Sequence, residues 1–220
     1  MEHKRKTAIP VYRFSQDTSY EEVTAKQEEY VELEREAIFL CEHPPTITMG
    51  SAATPQDLTL APVYYERMGV TIHKSPRGGK ATYHGPGQLV CYPILNLRQR
   101  NITLHAHLHF LESLMIQACS FYGIHAGTIE GKTGAWTGER KIGFVGVRVR
   151  KGFCYHGCSL NVLPQAQAFH MIIPCGMPNL HVTSIHEECR QTPTVWDVGD
   201  IMESILFKQL FSSPVRQAVV

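Results

Sequence analysis

From position 77 to 88 the chain reads Arg-Gly-Gly-Lys-Ala-Thr-Tyr-His-Gly-Pro-Gly-Gln. Glycine loses more entropy on ordering than any other residue, and proline cannot donate to a ladder, so this run makes a poor core strand. Glycine also lets a backbone approach a ligand closely. Arg77, Lys80 and His84, set among Gly78, Gly79, Gly85 and Gly87, can therefore converge on a small molecule. Residue types alone leave two readings: a glycine-rich turn between strands, or one wall of a binding site.

The flanking patterns place the run in a mixed fold. Ser19 followed by Glu22 is a capping-box start for a helix reaching about Arg35, with Tyr20, Val23, Gln27 and Tyr30–Val31 on its inner side. Ala37 to Cys41 reads as a buried strand stopped by Glu42-His43-Pro44-Pro45. Thr46 to Met49 is extended and Ser51 to Pro62 is loop. Val70 to His73 feeds the glycine run and Leu89 to Leu97 leaves it. Leu104, Leu108, Leu111, Met115, Ala118 and Tyr122 form one helical face between a Thr103 cap and Gly123. Gly131 to Trp136 is polar and broken by glycine. Lys141 to Arg150 sets Ile142, Phe144, Val145, Val147 and Val149 against Gly146, Arg148 and Arg150. Lys151-Gly152 turns it into a hairpin with Phe153 to Val162. Phe169 to Ile173 ends at Pro174, and Asp197 to Phe211 is a terminal helix capped near Asp197. Helices and strands mix without βαβ alternation, which predicts an α+β class.

The 220 residues are 43% hydrophobic and 19% charged, the composition of one globular domain over 1–220. A net charge of +1 exerts no long-range pull on nucleic acid or a membrane surface. The basic start Met1–Lys6 has no apolar run after it, unlike a secretory signal. Seven cysteines at irregular spacing then read as reduced thiols of a cytoplasmic protein.

Cys154, His156 and Cys158 alternate and would share a strand face, but there is no C-x-x-C and no second pair, so no metal is expected. His105, His107 and His109 lie on one helix; His105 and His109, one turn apart, could form a surface site but read as a solvated face. Six cysteines fall in apolar runs or strands, where a thiol is inert. Cys175, in Pro174-Cys175-Gly176, sits on a turn whose glycine leaves N–H groups free for a substrate oxygen. It is either a structural turn residue or a nucleophile. Lys141, at a strand start, gains meaning only with a partner. No nucleophile elbow, Walker loop or G-x-G-x-x-G occurs.

The run Arg77-Gly78-Gly79-Lys80-Ala81-Thr82-Tyr83-His84 with Gly85-Pro86-Gly87-Gln88 resembles the signature of the lipoyl (octanoyl) transferases. Three further blocks agree in order: Glu42-His43-Pro44-Pro45 through Gly50; Gly138 to Ile142 with His156-Gly157 and Ser159 to Val162; and Pro174-Cys175-Gly176. The resemblance covers about residues 18 to 190. It implies an α+β fold shared with biotin and lipoate protein ligases. It also implies a covalent octanoyl transfer, with Cys175 as the thioester nucleophile and Lys141 as the lysine that activates it.

By the same resemblance, residues Arg77 to His84, Phe144, Val145, Gly146, Gly157, Cys158 and Ser159 wall the acyl site, with Tyr83 and His84 facing the chain. Phe144 and Val145 are bulkier than is common in the family and put the accepted chain length in question. Cys158 and the segment Asn179 to Ser184 also depart from the usual pattern. The implied donor is octanoyl-acyl carrier protein. The implied acceptors are lipoyl domains of 2-oxoacid dehydrogenase complexes and the glycine cleavage H protein. A monomer without cofactor or metal is expected. Arg77, Lys80, Arg148 and Arg150 are the candidate basic patch for an acidic carrier protein. The competing readings are an ATP-dependent lipoate or biotin ligase, which needs no cysteine, and a non-catalytic module that binds acyl carriers or lipoyl domains.

Overall fold

The computed structural model describes residues 9–164, 166–189 and 191–211; the basic run Met1–Lys6 lies outside them. In chain order the elements are β1 (Val11–Phe14), α1 (Tyr20–Glu32), β2 (Ala37–Cys41), β3 (Thr46–Met49), α2 (Pro62–Arg67), β4 (Thr71–Lys74), β5 (Ala81–His84), β6 (Gln88–Asn96), α3 (Leu97–Arg100) and α4 (Leu104–Phe121). There follow β7 (Gly127–Ile129), β8 (Lys132–Thr137), β9 (Arg140–Arg150), β10 (Phe153–Asn161), α5 (Ala166–Phe169), α6 (Ile185–Glu188) and α7 (Val195–Phe211). Seven strands form one sheet in the order β1-β2-β6-β10-β9-β8-β7, and β4-β3-β5 form a second. This is the expected α+β class.

The local signals act as their chemistry dictates. Ser19 and Glu22 form the capping box of α1, whose buried side is Tyr20, Val23, Gln27 and Val31. Thr103 Oγ1 accepts from the Ala106 N–H to start α4. Leu111, Met115 and Ala118 are buried with Leu114 and Cys119, whereas Leu104 is exposed. The cap of α7 is Thr194, three residues before Asp197 of α7's first turn, whose carboxylate receives the Thr194 N–H and hydroxyl. The main core lies on the sheet face covered by α4 and α7. A second cluster lies under α1.

Two segments depart from the sequence expectation. Ala81–His84 is a fully buried strand paired antiparallel with β3, and Lys132–Thr137 is a strand paired with β9. Both contain or adjoin glycines that lower strand propensity, and tertiary pairing overrides it. The stretch read as loop before Pro62 ends in α2, a short helix opened by that proline.

Candidate active site

Lys141 owes its position to a β-bulge. Ala135 pairs with Gly143, yet Trp136 pairs with Lys141, so one extra residue sits in β9. Before the bulge Ile142 enters the main core; after it Val145 and Val147 pack there. The slip puts Lys141 and Phe144 on the same side despite their odd separation. The Lys141 Nζ stands 5.1 Å from the Phe144 ring centroid and 4.8 Å from that of Trp136. Its ammonium donates to the Thr133 carbonyl at 2.6 Å and lies 3.7 Å from Cys175 Sγ. The residue is 2% exposed. Burial pushes the Lys141 pKa below its ordinary value, while the neighbouring Cys175 and Glu112 pull it back up.

Cys175 sits in a 3-10 turn, Pro174–Gly176, with φ 56°, a left-handed conformation that costs a non-glycine residue about 1–2 kcal/mol. The turn turns its thiol outward: of the seven cysteines, Cys175 is the exposed one, Cys189 is half-buried and the other five are buried. Gly176 follows at φ 71°, and a Cβ there would meet the Lys80 side chain at 2.6 Å. Lys80 thus packs its stem against the turn while its ammonium lies 3.5 Å from the buried Asp57 carboxylate. The N–H of Gly176 donates to Ile173 O at 3.1 Å, so it is not the free oxyanion donor expected from the glycine. An apolar hollow of about 410 Å³, lined in part by Phe169, Ile172, Pro174, Leu180 and Val182, opens beside the turn.

Arg77 is buried and serves the loop that carries it. Its Nε and Nη2 donate to Thr48 Oγ1, Nη2 also to Thr48 O and Lys80 O, and Nη1 to Gly78 O, at 2.6–3.1 Å. Gly78 N–H donates to Val147 O at 2.8 Å, pinning the loop to β9. A Cβ on Gly146 would lie 3.0 Å from Arg77 Cδ, so glycine is what allows this stacking. The predicted walls from the glycine run, Gly146 and the Cys175 turn therefore meet around one place.

Other predicted wall residues do not. Val145 and Cys158 direct their side chains into the main core, Cys158 opposite Cys91. Tyr83 and His84, neighbours on β5, face opposite ways. Tyr83 packs on Phe169, which stacks on Phe144 at 4.8 Å; His84 lies beside Tyr20 and His43. Gly157 pairs with Gly146, and a Cβ there would collide with Cys91 O at 2.2 Å, so only its backbone can contribute. Ser159 is buried in β10 next to it.

The lipoyl protein ligase A/B catalytic domain model matches residues 16–207. The chain belongs to this family. It is 43% identical over 165 residues to a protein of Geobacter sp. (strain M21) named Octanoyltransferase, covering 75% of this chain and 78% of that one. A protein of the same name from Chloroflexus aggregans is 39% identical over 168 residues, 75% of this chain and 76% of that one. Among solved structures, lipoate-protein ligase A bound with ATP superposes with a TM-score of 0.72 at 13% identity, over 96% and 88% of the two chains. A bipartite lipoate protein ligase from Thermoplasma acidophilum gives 0.72 at 12%, over 96% and 86%. At such identities the structures share the fold.

Within this lipoyl protein ligase A/B domain the structure adds a cluster that sequence reasoning missed. Tyr20, His43, His84, Tyr92 and His156 converge, with Tyr20 parallel to His84 and to His156 at ring distances of 6.0 and 6.5 Å. His156 reaches it because its φ is 57°, which turns its ring to the face opposite Cys154 and Cys158 and dissolves the expected three-residue alternation. Among the described residues no cluster of His, Cys, Asp and Glu could hold a metal ion. Burial lowers the pKa of His43 to about 4 and of His84 and His156 to about 3, so the rings are neutral at physiological pH. Among the described residues, neither His156 nitrogen nor Thr82 Oγ1 meets a hydrogen-bond partner. Glu42, of the same Glu-His-Pro-Pro block, accepts the Gly87 N–H at 2.6 Å and fixes the turn after β5. The available signal was that three family blocks each contain a histidine, His43, His84 and His156; only the fold makes them neighbours. Among the described residues no helix is long and apolar enough to cross a membrane.

Proposed function

We propose that this protein transfers an octanoyl group from acyl carrier protein to a lysine of a lipoyl domain, through a thioester on Cys175. The single observation that carries the reading is the 3.7 Å approach of a buried ammonium, Lys141, to an exposed thiol, Cys175. The names of its relatives supply the acyl group. The Cys175 thiolate attacks the incoming thioester carbonyl; the carrier's phosphopantetheine thiolate leaves and takes a proton. One thioester is exchanged for another of similar energy, so no nucleotide is consumed. The acceptor amine then attacks the enzyme thioester, gives up a proton and releases Cys175 as the amide forms. Splitting the transfer in two lowers each barrier. A lysine whose pKa is lowered by burial is suited to take that second proton.

Arg77 to Lys80 and Gly146 hold the acyl group against Cys175. Tyr83, Phe144 and Phe169 supply the apolar contact that bounds the chain. The neutral histidine–tyrosine cluster lies beyond Arg77. Such a reaction suits the cytoplasm, where acyl carrier protein and reduced thiols coexist.

Incubation with octanoyl-acyl carrier protein is expected to add one octanoyl mass to the wild type and none to Cys175→Ser. An adduct at wild-type level in Cys175→Ser overturns the reading. Transfer from free octanoate that requires ATP and survives loss of Cys175 would instead identify a ligase.

A further inference from the structure

Among the described residues Lys141 has no carboxylate in direct contact, yet one lies on the far end of the group that holds it. The Lys141 ammonium donates to Thr133 O at 2.6 Å, and Gly134 N–H donates to Glu112 Oε1 at 2.9 Å. Thr133 C=O and Gly134 N–H are the two ends of one planar peptide unit. A carboxylate at the N–H end and an ammonium at the C=O end both align with its dipole of about 3.5 D, so each strengthens the other's hydrogen bond. Glu112 is 6% exposed, projects from α4, and is buttressed through Oε2 by His109 Nδ1 at 3.1 Å. His109 is in turn 3.3 Å from His105, nitrogen to nitrogen.

Gly134 is suited to this arrangement. Its φ is 127°, and a Cβ there would stand 2.4 Å from Gly143 O and 2.8 Å from Lys141 Cε. The peptide can therefore lie flat between helix and lysine.

We propose that Glu112 is a positioning residue for Lys141, acting through the Thr133–Gly134 peptide to keep the ammonium charged and aimed at Cys175. The inference rests on the reading that Lys141 serves Cys175. The charged and titratable groups around Lys141 include Cys175 on the turn, Glu112 and His109 on α4, His181 on the segment that pairs with the Lys141 backbone, and Lys132 on β8, whose ammonium lies 5.7 Å from the Trp136 ring. Arg140 and Glu188 are paired with each other at 2.9 Å, and Lys80 faces Asp57. Glu112 is therefore the buried anion that α4 contributes to the lysine. Removing an anion near an ammonium disfavours the charged form, so the lysine would lose its proton at lower pH.

The test measures the rate of octanoyl-enzyme formation from octanoyl-acyl carrier protein against pH, by quench and intact mass. The proteins are wild type, Glu112→Gln, Lys141→Ala and the double variant. Glu112→Gln keeps an acceptor for Gly134 and removes the charge. Its basic limb is expected to move about one pH unit lower. In the Lys141→Ala background the same change should have no further effect. A basic limb that stays in place, or an equal fold-loss in both backgrounds, overturns the inference while leaving the dyad intact. Wild-type rates in Lys141→Ala would overturn the dyad reading itself, and this inference with it. Should Glu112→Gln unfold, the nitrogen-15 titration of Lys141 in Glu112→Ala, which also removes the charge, gives the same readout independently of rate, and an unshifted titration overturns the inference.

Discussion

The site contains two buried cations that are held in opposite ways. Arg77, 7% exposed, distributes its guanidinium over Thr48, Gly78 and Lys80 oxygens. Lys141, 2% exposed, has the Thr133 carbonyl, a sulfur and two aromatic faces. A guanidinium is a rigid fork that stays charged, and it suits a loop that needs several carbonyls fixed at once. An ammonium is a movable point charge whose pKa responds to burial. The difference suits the arginine to architecture and the lysine to the chemistry of the proposed transfer, although both lie in motifs of equal prominence in the sequence.

Exchanging the two side-chain types breaks the comparison most severely. Lys141→Arg keeps a charge but cannot give up its proton, and so cannot take one from the acceptor amine. Transfer from the Cys175 thioester to the lipoyl-domain lysine in a single turnover is expected to fall on the order of 100-fold or more. Arg77→Lys leaves buried carbonyls without donors and is expected to cost about 3 kcal/mol in chemical denaturation. Near-native turnover by Lys141→Arg would make the lysine a mere charge. Near-native stability of Arg77→Lys would remove the brace assigned to the arginine.

What the sequence reveals of this site follows from the range of each signal. Pro174-Cys175-Gly176 and Lys141 are local, and the roles proposed for them come from resemblance. The capping boxes and the faces of α1 and α4 are also local, and the expected helices stand within a few residues. The failures occur where one residue changes phase. The alternating reading placed Phe144 on one face with Ile142, but the extra residue Ile142 in β9 moves Phe144 to the lysine's side. Alternation likewise aligned His156 with Cys154 and Cys158 until a single positive φ turned it away. Nothing in composition announces either change. The strand Ala81–His84 was hidden for another reason: its partner β3 lies far upstream, and pairing across that distance outweighs the glycines around it.

Buried histidines sharpen the contrast, because burial leaves these rings neutral at physiological pH. The pKa is lowered to about 4 for His43 and His107 and to about 3 for His84 and His156, in each case chiefly by desolvation. A histidine in the unfolded chain has a pKa near ~6.5 and takes up a proton first as pH falls. Their contribution to stability is therefore whole above pH ~6.5 and is lost as pH drops from there toward the folded values, at about 1–2 kcal/mol per ring by pH 5. Urea midpoints measured from pH 8 to 5 should decline steeply, and His107→Gln, away from the site, should flatten the decline. A flat profile would mean that these rings meet water or counter-charges in the folded protein.

Cations on the rim form a third class and the smallest expected effect. Of the four residues considered for docking an acidic carrier protein, Arg77 is buried and Arg150 is paired with Glu32. Lys80 lies beside Asp57, with its stem against Gly176, so changing it would disturb the Cys175 turn as well as the charge. Arg148 is exposed and anchored by a bond to Pro76 O at 3.2 Å, which leaves its charge facing solvent on the strand that bears Lys141. An exposed charge acts on encounter rather than on chemistry, and its influence is screened over about 10 Å at 0.1 M salt. Arg148→Glu is therefore expected to lower kcat/KM for octanoyl-acyl carrier protein about threefold at low salt and to flatten its salt dependence, with no change for octanoyl-pantetheine. Equal losses with both donors would place Arg148 among the residues that shape the site, as Arg77 does, and would dissolve the distinction between rim and interior cations.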